Sequence, residues 1–267
     1  MKTMTIIKRA AGFALLALVS LSVAAPVAAE PLTNAEMVSM LEEVDTRQSN
    51  VGDYKAHVFI QQKEKGKEDI VFEAVIYRRD ADDKFMLLFL GPKNEAGKGY
   101  LRIDQNLWLY APSTGKWERV TERERIAGTD SRRRDFDESR LSAEYTPTYL
   151  GEGKLGKFAT HKLKLAAKRG IDVAYPVMEI EIDQQSGNVL KSQEFALSGR
   201  TMRTSYYPKW HKVMSETKGA EVWFPKDMRF YDEVEKGNSS VVKIDKIDLS
   251  PLDKNIFTKA WLESKSR

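Results

Sequence analysis

The chain has 267 residues, 43 Lys and Arg against 39 Asp and Glu for a formal net charge of +4, and no cysteine. The missing cysteines exclude disulfides, zinc–thiolate and iron–sulfur sites and a thiol nucleophile. A content of 42% hydrophobic and 10% aromatic residues excludes intrinsic disorder over most of the length and fits one large β domain or two small ones.

Residues 1–29 read as a targeting segment rather than as fold. Lys2, Lys8 and Arg9 make a positive start, Ala10 to Ala25 is an uncharged apolar run, and Val27-Ala28-Ala29 sets small residues before Glu30-Pro31. This is the three-part plan of a secretory signal peptide, with cleavage expected after Ala29; the apolar run is short for a membrane span. Three of the four excess positive charges belong to this segment, so residues 30–267 are close to neutral and poorly suited to charge-driven binding of nucleic acid. Without a cysteine to carry a lipid, the product is expected to be periplasmic and unanchored, with residues 30–267 as a single domain.

A helix opens this domain. Thr33 and Glu36 make a capping box, and Met37, Met40, Leu41 and Val44 follow at helical spacing. From Tyr54 the period falls to two: Tyr54, Ala56, Val58 and Ile60 form one strand, and Ile70, Phe72, Ala74 and Ile76 its hairpin partner. Phe85 to Leu90 is apolar on both faces and ends at Gly91-Pro92; Tyr100 to Ile103, Leu107 to Tyr110 and Lys116 to Thr121 continue the meander. After an interruption the pattern resumes with Tyr145 to Leu150, His161 to Ala166, Val177 to Ile182, Val189 to Leu197, Met202 to Tyr207, Ala220 to Phe224, Met228 to Asp232 and Ser240 to Ile247. With no long linker, these runs predict one antiparallel sheet of about ten strands.

The interruption, Glu118 to Arg140, holds acids and arginines in equal number, among them Arg132, Arg133 and Arg134. Such balance suits a solvated loop with a short helix laced by ion pairs. The alternative is a mobile lid over the sheet whose three consecutive arginines touch a polar head group or a partner.

Catalytic signatures are absent. His57, His161 and His211 fall in no metal-ligand spacing. Gly91 to Gly99 resembles a phosphate loop but has five residues between its first glycines and no Ser or Thr for magnesium. There is no G-x-S-x-G elbow, and Asp135 and Asp137 are merely two of many carboxylates. Neither an enzyme, nor a metal, nor a cofactor is expected. The unusual feature is surplus apolar surface: Phe85 to Leu90 and Leu107 to Tyr110 call for cover on a second face. The helix at Glu36 to Val44 could supply it, or the sheet curves so that Met86, Leu88, Leu90, Trp108, Tyr110 and Trp117 line a cavity for acyl chains.

Several of these stretches are similar to the LolA-like outer-membrane lipoprotein-sorting proteins: the signal segment, Phe85 to Pro92, Gly99-Tyr100-Leu101-Arg102-Ile103, Asn106 to Pro112, the arginine-rich stretch with Gly128, Tyr206-Tyr207-Pro208, Trp223 to Met228 and Ile256-Phe257-Thr258. The resemblance runs from about Ala35 to Leu262. It implies a mainly β (α+β) fold, an incomplete antiparallel β-barrel with a helical lid over a hydrophobic cavity. It also implies a monomeric soluble carrier that shelters lipid or lipoprotein acyl chains between an inner-membrane transporter and an outer-membrane acceptor. A sensor or adaptor that binds an envelope protein partner is the alternative.

Overall fold

A computed structural model describes Met1 and residues 31–49, 51–104, 106–121, 124–130, 132, 135 and 139–266. The predicted signal segment, apart from Met1, lies outside the described residues, as do Arg133 and Arg134. Residues 31–267 cluster as one compact unit.

Helix α1 spans Asn34–Ser49. At its start the Thr33 amide and hydroxyl both donate to Glu36 Oε2 at 2.7 Å, and the Glu36 amide donates back to Thr33 Oγ1 at 3.3 Å. The reciprocal bonds satisfy donors that the first helical turn would leave open.

Thirteen strands follow: β1 (Asp53–Lys63), β2 (Ile70–Arg79), β3 (Lys84–Gly91), β4 (Gly99–Ile103), β5 (Asn106–Ala111), β6 (Lys116–Val120), β7 (Tyr145–Leu155), β8 (Phe158–Ala167), β9 (Val177–Asp183), β10 (Val189–Phe195), β11 (Thr201–Ser215), β12 (Ala220–Asp232) and β13 (Ser239–Asp248). The described residues also form two short α-helices, α2 (Leu141–Glu144) before β7 and α3 (Lys259–Lys265) near the C-terminus.

One sheet takes all thirteen strands in the order β6-β5-β4-β3-β2-β1-β13-β12-β11-β10-β9-β8-β7. Apart from β6 and β7, strands adjacent in sequence pair antiparallel, and one further pairing, β1 with β13, joins the two halves. Strands β6 and β7 form the edges, so the sheet stays open where the charged interruption sits. The count exceeds the expected ten because several short runs are strands in their own right. The two runs Ala220 to Phe224 and Met228 to Asp232, conversely, are one strand, β12. Irregular register between Tyr206 and Trp210 lets Pro208 and Pro225 remain within β11 and β12, although each proline reads as a break in sequence.

Both faces of the sheet are partly covered. On the inner face α1 buries Met37, Leu41 and Val44 against Tyr145, Leu163, Leu165, Met178 and Ile180 of β7 to β9. On the same face of the other half lie Ala56, Val58, Ile60, Phe72, Phe85, Leu87 and Phe89. The outer face of β2 to β4 carries Val75, Tyr77, Met86 and Leu101, and α3 closes over them with Leu262, which is fully buried. Gly99 permits this close approach, since a Cβ there would lie 2.6 Å from Leu262 Cδ1. Among the described residues no helix is long and apolar enough to cross a membrane.

Candidate functional site

The connection between the two sheet edges is folded onto the inner face. Ile126 is fully buried in the core of β1 to β5. Left-handed backbone at Ala127 (φ 50°) and Gly128 (φ 73°) makes the turn that seats it. Polar contacts fix the same stretch. The Ala127 amide donates to Tyr100 Oη at 2.9 Å, and Gln62 Nε2 donates to the Gly128 carbonyl at 2.8 Å. The Asp130 amide donates to Ser240 Oγ at 2.8 Å. Arg125 pairs with Asp232 at 2.5 Å and with Asp130 at 3.4 Å. At the far end Asp45 of α1 accepts from the amides of Leu141 and Ser142, each at 2.8 Å, which caps α2. The described part of the interruption is thus packed against the sheet rather than solvated throughout.

Between α1, this segment and the sheet lies a cavity of about 160 Å³. Ala56, Ile60, Ile76, Phe85, Val242 and Ile244 supply apolar walls, with Trp210 and Trp223 on the β11–β12 side. Polar groups reach it from Tyr54, Asp135 and Tyr207, and from the Arg78–Asp80 pair, whose Nε–Oδ1 separation is 2.8 Å. An apolar cavity of ~150 Å³ holds a molecule the size of benzene, whereas sites for larger ligands run from ~300 Å³ upward. The observed space falls short of that range.

A buried charge cluster borders the cavity at Asp135 and Tyr207. Arg203 of β11 is 3% exposed and takes both Asp135 oxygens, Nη1 to Oδ1 at 2.8 Å and Nη2 to Oδ2 at 2.6 Å. It lies 3.5 Å from Glu194 and 4.3 Å from the Phe230 ring centroid. Burial opposes the charge on Arg203, but the Asp135 and Glu194 carboxylates outweigh it and hold the guanidinium well above its ordinary range. Burial pushes Tyr175 up to about 12, reinforced by Glu194. It raises Tyr207 still further, with Asp135 adding to the effect. Tyr54 also moves up to about 12 through burial. Asp130 is raised by burial, with Arg125 pulling the other way.

The residues singled out by sequence separate into two places. Arg132 lies at the cluster: its guanidinium is 5.7 Å from the Tyr175 ring centroid, and its amide donates to Asp135 Oδ2 at 2.8 Å. The six expected cavity residues do not line the cavity. Met86, Tyr110 and Trp117 belong to the outer-face cluster under α3. Leu88 pairs with Gly99, against which Leu262 packs, and Leu90 is exposed. Trp108 and Trp117 flank Lys259, whose Nζ is 5.0 and 4.8 Å from their ring centroids, and Trp117 Nε1 donates to Glu263 at 2.7 Å. The inner face of these strands instead presents Phe85, Leu87, Phe89 and Leu107. A strand covered on both faces has no polar side to set its phase, so alternation alone left the choice open by one residue.

Sequence reasoning missed Arg203 and Asp135 as a pair and missed α3 as cover. The apolar spacing of Trp261 and Leu262 after Thr258, which caps α3 by accepting from the Trp261 amide at 3.2 Å, was the available signal for the helix. The three histidines are apart: His57 bridges Glu73 (2.8 Å) and Asp245 (3.2 Å), His161 meets Tyr149, and His211 sits by Phe224. Among the described residues no group of three His, Cys, Asp or Glu side chains could hold a metal ion.

The fold has counterparts among solved structures. A domain described as an outer membrane lipoprotein-sorting protein from Vibrio parahaemolyticus aligns at a TM-score of 0.72 and 17% identity, over 85% of this chain and 97% of its own. A LolA superfamily protein from Nitrosomonas europaea aligns at 0.67 and 20% identity, over 86% and 99%. A DUF1329 family protein from Desulfovibrio piger aligns at 0.71 and 16% identity, over 86% and 97%. No curated protein matches the chain. A family model described as "-like: Uncharacterized protein" matches residues 81–264. The family model covers more than half of the chain, which therefore belongs to that family, and its open antiparallel sheet has the fold of the LolA-like structures.

Proposed function

We propose that the protein is an exported, unanchored periplasmic carrier that shelters acyl chains of a lipid or lipoprotein on the inner face of its sheet and performs no catalysis. The observation that carries this reading is the largely apolar cavity on the inner face, bordered by Asp135 of the β6–β7 connection, on a fold similar to that of lipoprotein-sorting proteins. Burial contributes roughly 0.8 kcal/mol per methylene, so a 14-carbon chain would gain about 10 kcal/mol before ordering costs. A cavity of about 160 Å³ admits only part of such a chain, so loading requires the segment around Ile126 to lift. Movement of that segment also supplies release, to an outer-membrane acceptor after delivery from an inner-membrane donor. Arg132, with Arg133 and Arg134, is assigned to contact with the cargo's polar head group.

The small closed volume also favours a second reading, in which the same fold is an adaptor that binds an envelope protein partner. Native mass spectrometry separates the two, applied to protein purified from the periplasm without detergent and then offered a fatty acid. The chain has no cysteine, so an Asp130→Cys, Ser240→Cys pair can tether the segment to β13 without side reactions. The carrier reading expects a bound or acquired lipid mass that the oxidised pair blocks and reduction restores. A persistent lipid-free mass in the wild type overturns it in favour of the adaptor.

A further inference from the structure

The floor beneath the segment is polar, and three of the buried groups there can donate hydrogen bonds, with the Glu194 carboxylate and the Ser205 hydroxyl beside them. Arg203 Nε, Ser192 Oγ and Tyr175 Oη are buried without a hydrogen-bond partner; their residues are 3%, 6% and 6% exposed. They share one site. Glu194 pairs across the ladder with Arg203, Ser192 is two residues from Glu194 and opposite Ser205, and Tyr175 feels the charges of Glu194, Arg132, Arg203 and Asp135. Buried donors of this kind are uncommon in folded proteins and carry a desolvation cost until an acceptor reaches them. Among the described residues, the strong acceptor delivered to this site from outside the sheet is the Asp135 carboxylate, gripped by both guanidinium nitrogens. Asp135 belongs to the segment that closes the site, and it also lines the cavity together with Tyr207.

We infer that Asp135 occupies the place of a ligand's anionic head: Arg203, Ser192 and Tyr175 form a head-group site for an anionic amphiphile, a carboxylate or a phosphate, whose chain lies in the adjoining apolar cavity. The inference rests on the carrier reading and adds the class of cargo. A planar guanidinium binds carboxylate and phosphate oxygens in the same two-pronged manner, so either head can replace the Asp135 carboxylate on Arg203. One anion leaves with the segment and another arrives with the ligand, while Glu194 stays at 3.5 Å. A neutral head would leave Arg203 buried with one carboxylate where it now has two, an uncompensated loss in a low-dielectric site. Arg203 therefore makes entry selective as well as favourable.

The test compares chains of one length with different heads on the full protein: dodecanoate, dodecyl phosphate and neutral 1-dodecanoylglycerol. Quenching of Trp210 and Trp223, which line the cavity, provides the readout, with native mass spectrometry to count bound molecules. Wild type is expected to bind at least one of the anions tenfold or more tighter than the neutral ester, and the better anion names the head. Asp135→Asn, which frees Arg203 from its resident anion, is expected to strengthen anion binding about tenfold and to leave neutral binding nearly unchanged. Arg203→Gln, with circular dichroism as the folding control, is expected to abolish the preference. Equal binding of all three heads in wild type, or an equal gain for anionic and neutral ligands in Asp135→Asn, overturns the head-group site while the carrier reading stands. Failure of every chain to bind either protein overturns both.

Discussion

At the scale of single residues, the inner-face segment holds a carboxylate whose protonation works against the usual sign. Burial raises the Asp130 carboxyl above 3.8 despite Arg125. Between 3.8 and the raised value the folded chain keeps a proton that the unfolded chain has released, so stability falls as pH rises through that window. Asp130→Asn lacks this titration. Its melting temperature relative to wild type is expected to be highest at neutral pH and to lose that advantage on acidification, measured by thermal denaturation across the acid range. His211 acts in the opposite sense: burial, then Lys226, lowers it below 6.5, so its contribution is present above 6.5 and lost as pH falls. Such details were unevenly legible. The Thr33–Glu36 capping box could be read directly because both partners lie within one turn. Arg203 could not, because it is an ordinary alternating residue of a strand and its partner Asp135 lies 68 positions earlier; only the fold brings the two together.

Among elements, the seven-residue helix α3 does more than its length suggests. It covers the outer face of β2 to β4 through Leu262, and Gly99 is the site of contact. Leu262→Ala is expected to cost about 2–5 kcal/mol, the range for emptying a buried leucine site. Gly99→Ala alone should destabilise through its clash with the leucine. In the Leu262→Ala background the added methyl enters the space left behind, so the two effects are expected to be strongly non-additive in urea denaturation. Additive losses would mean that α3 does not bear on β4 there. The phase of β1 and β2 was legible because their outer faces carry polar residues such as His57 and Glu73. The phase of β3 was not, since Phe85, Met86, Leu87, Leu88 and Phe89 are all buried. The assignment of Met86, Leu88 and Trp108 to the cavity failed there, and α3 is the physical reason.

For the whole molecule, the open sheet places the gap in the barrel and the segment that covers it in the same connection, from β6 to β7. Charge density marked this stretch in the sequence, and its role as cover follows from the topology: a chain leaving one edge and returning to the other must cross the inner face or pass around it. Ile126, Asp130 and Asp135 show that it crosses. The succession of strands was legible throughout. Their arrangement into two meanders joined through β1 and β13 was not, because nothing in local periodicity specifies which distant strands meet.

That junction has a consequence for how the chain reaches its native state. Every other pairing links neighbours in sequence, whereas the β1–β13 ladder aligns Lys55 with Asp248. The entropic cost of long loop closure is therefore concentrated in one event. Hairpins within each half can form early, and the union of the halves is expected to come last. Leu165→Ala, within the β7–β9 meander, should then chiefly slow folding, while Ile244→Val, opposite Val58 in the junction, should chiefly speed unfolding in stopped-flow chevron measurements. The reverse pattern would place the nucleus at the junction. With union last, the transient species is a pair of half-sheets with the edges of β1 and β13 bare, and its protection would fall to chaperones rather than to the chain's own fold.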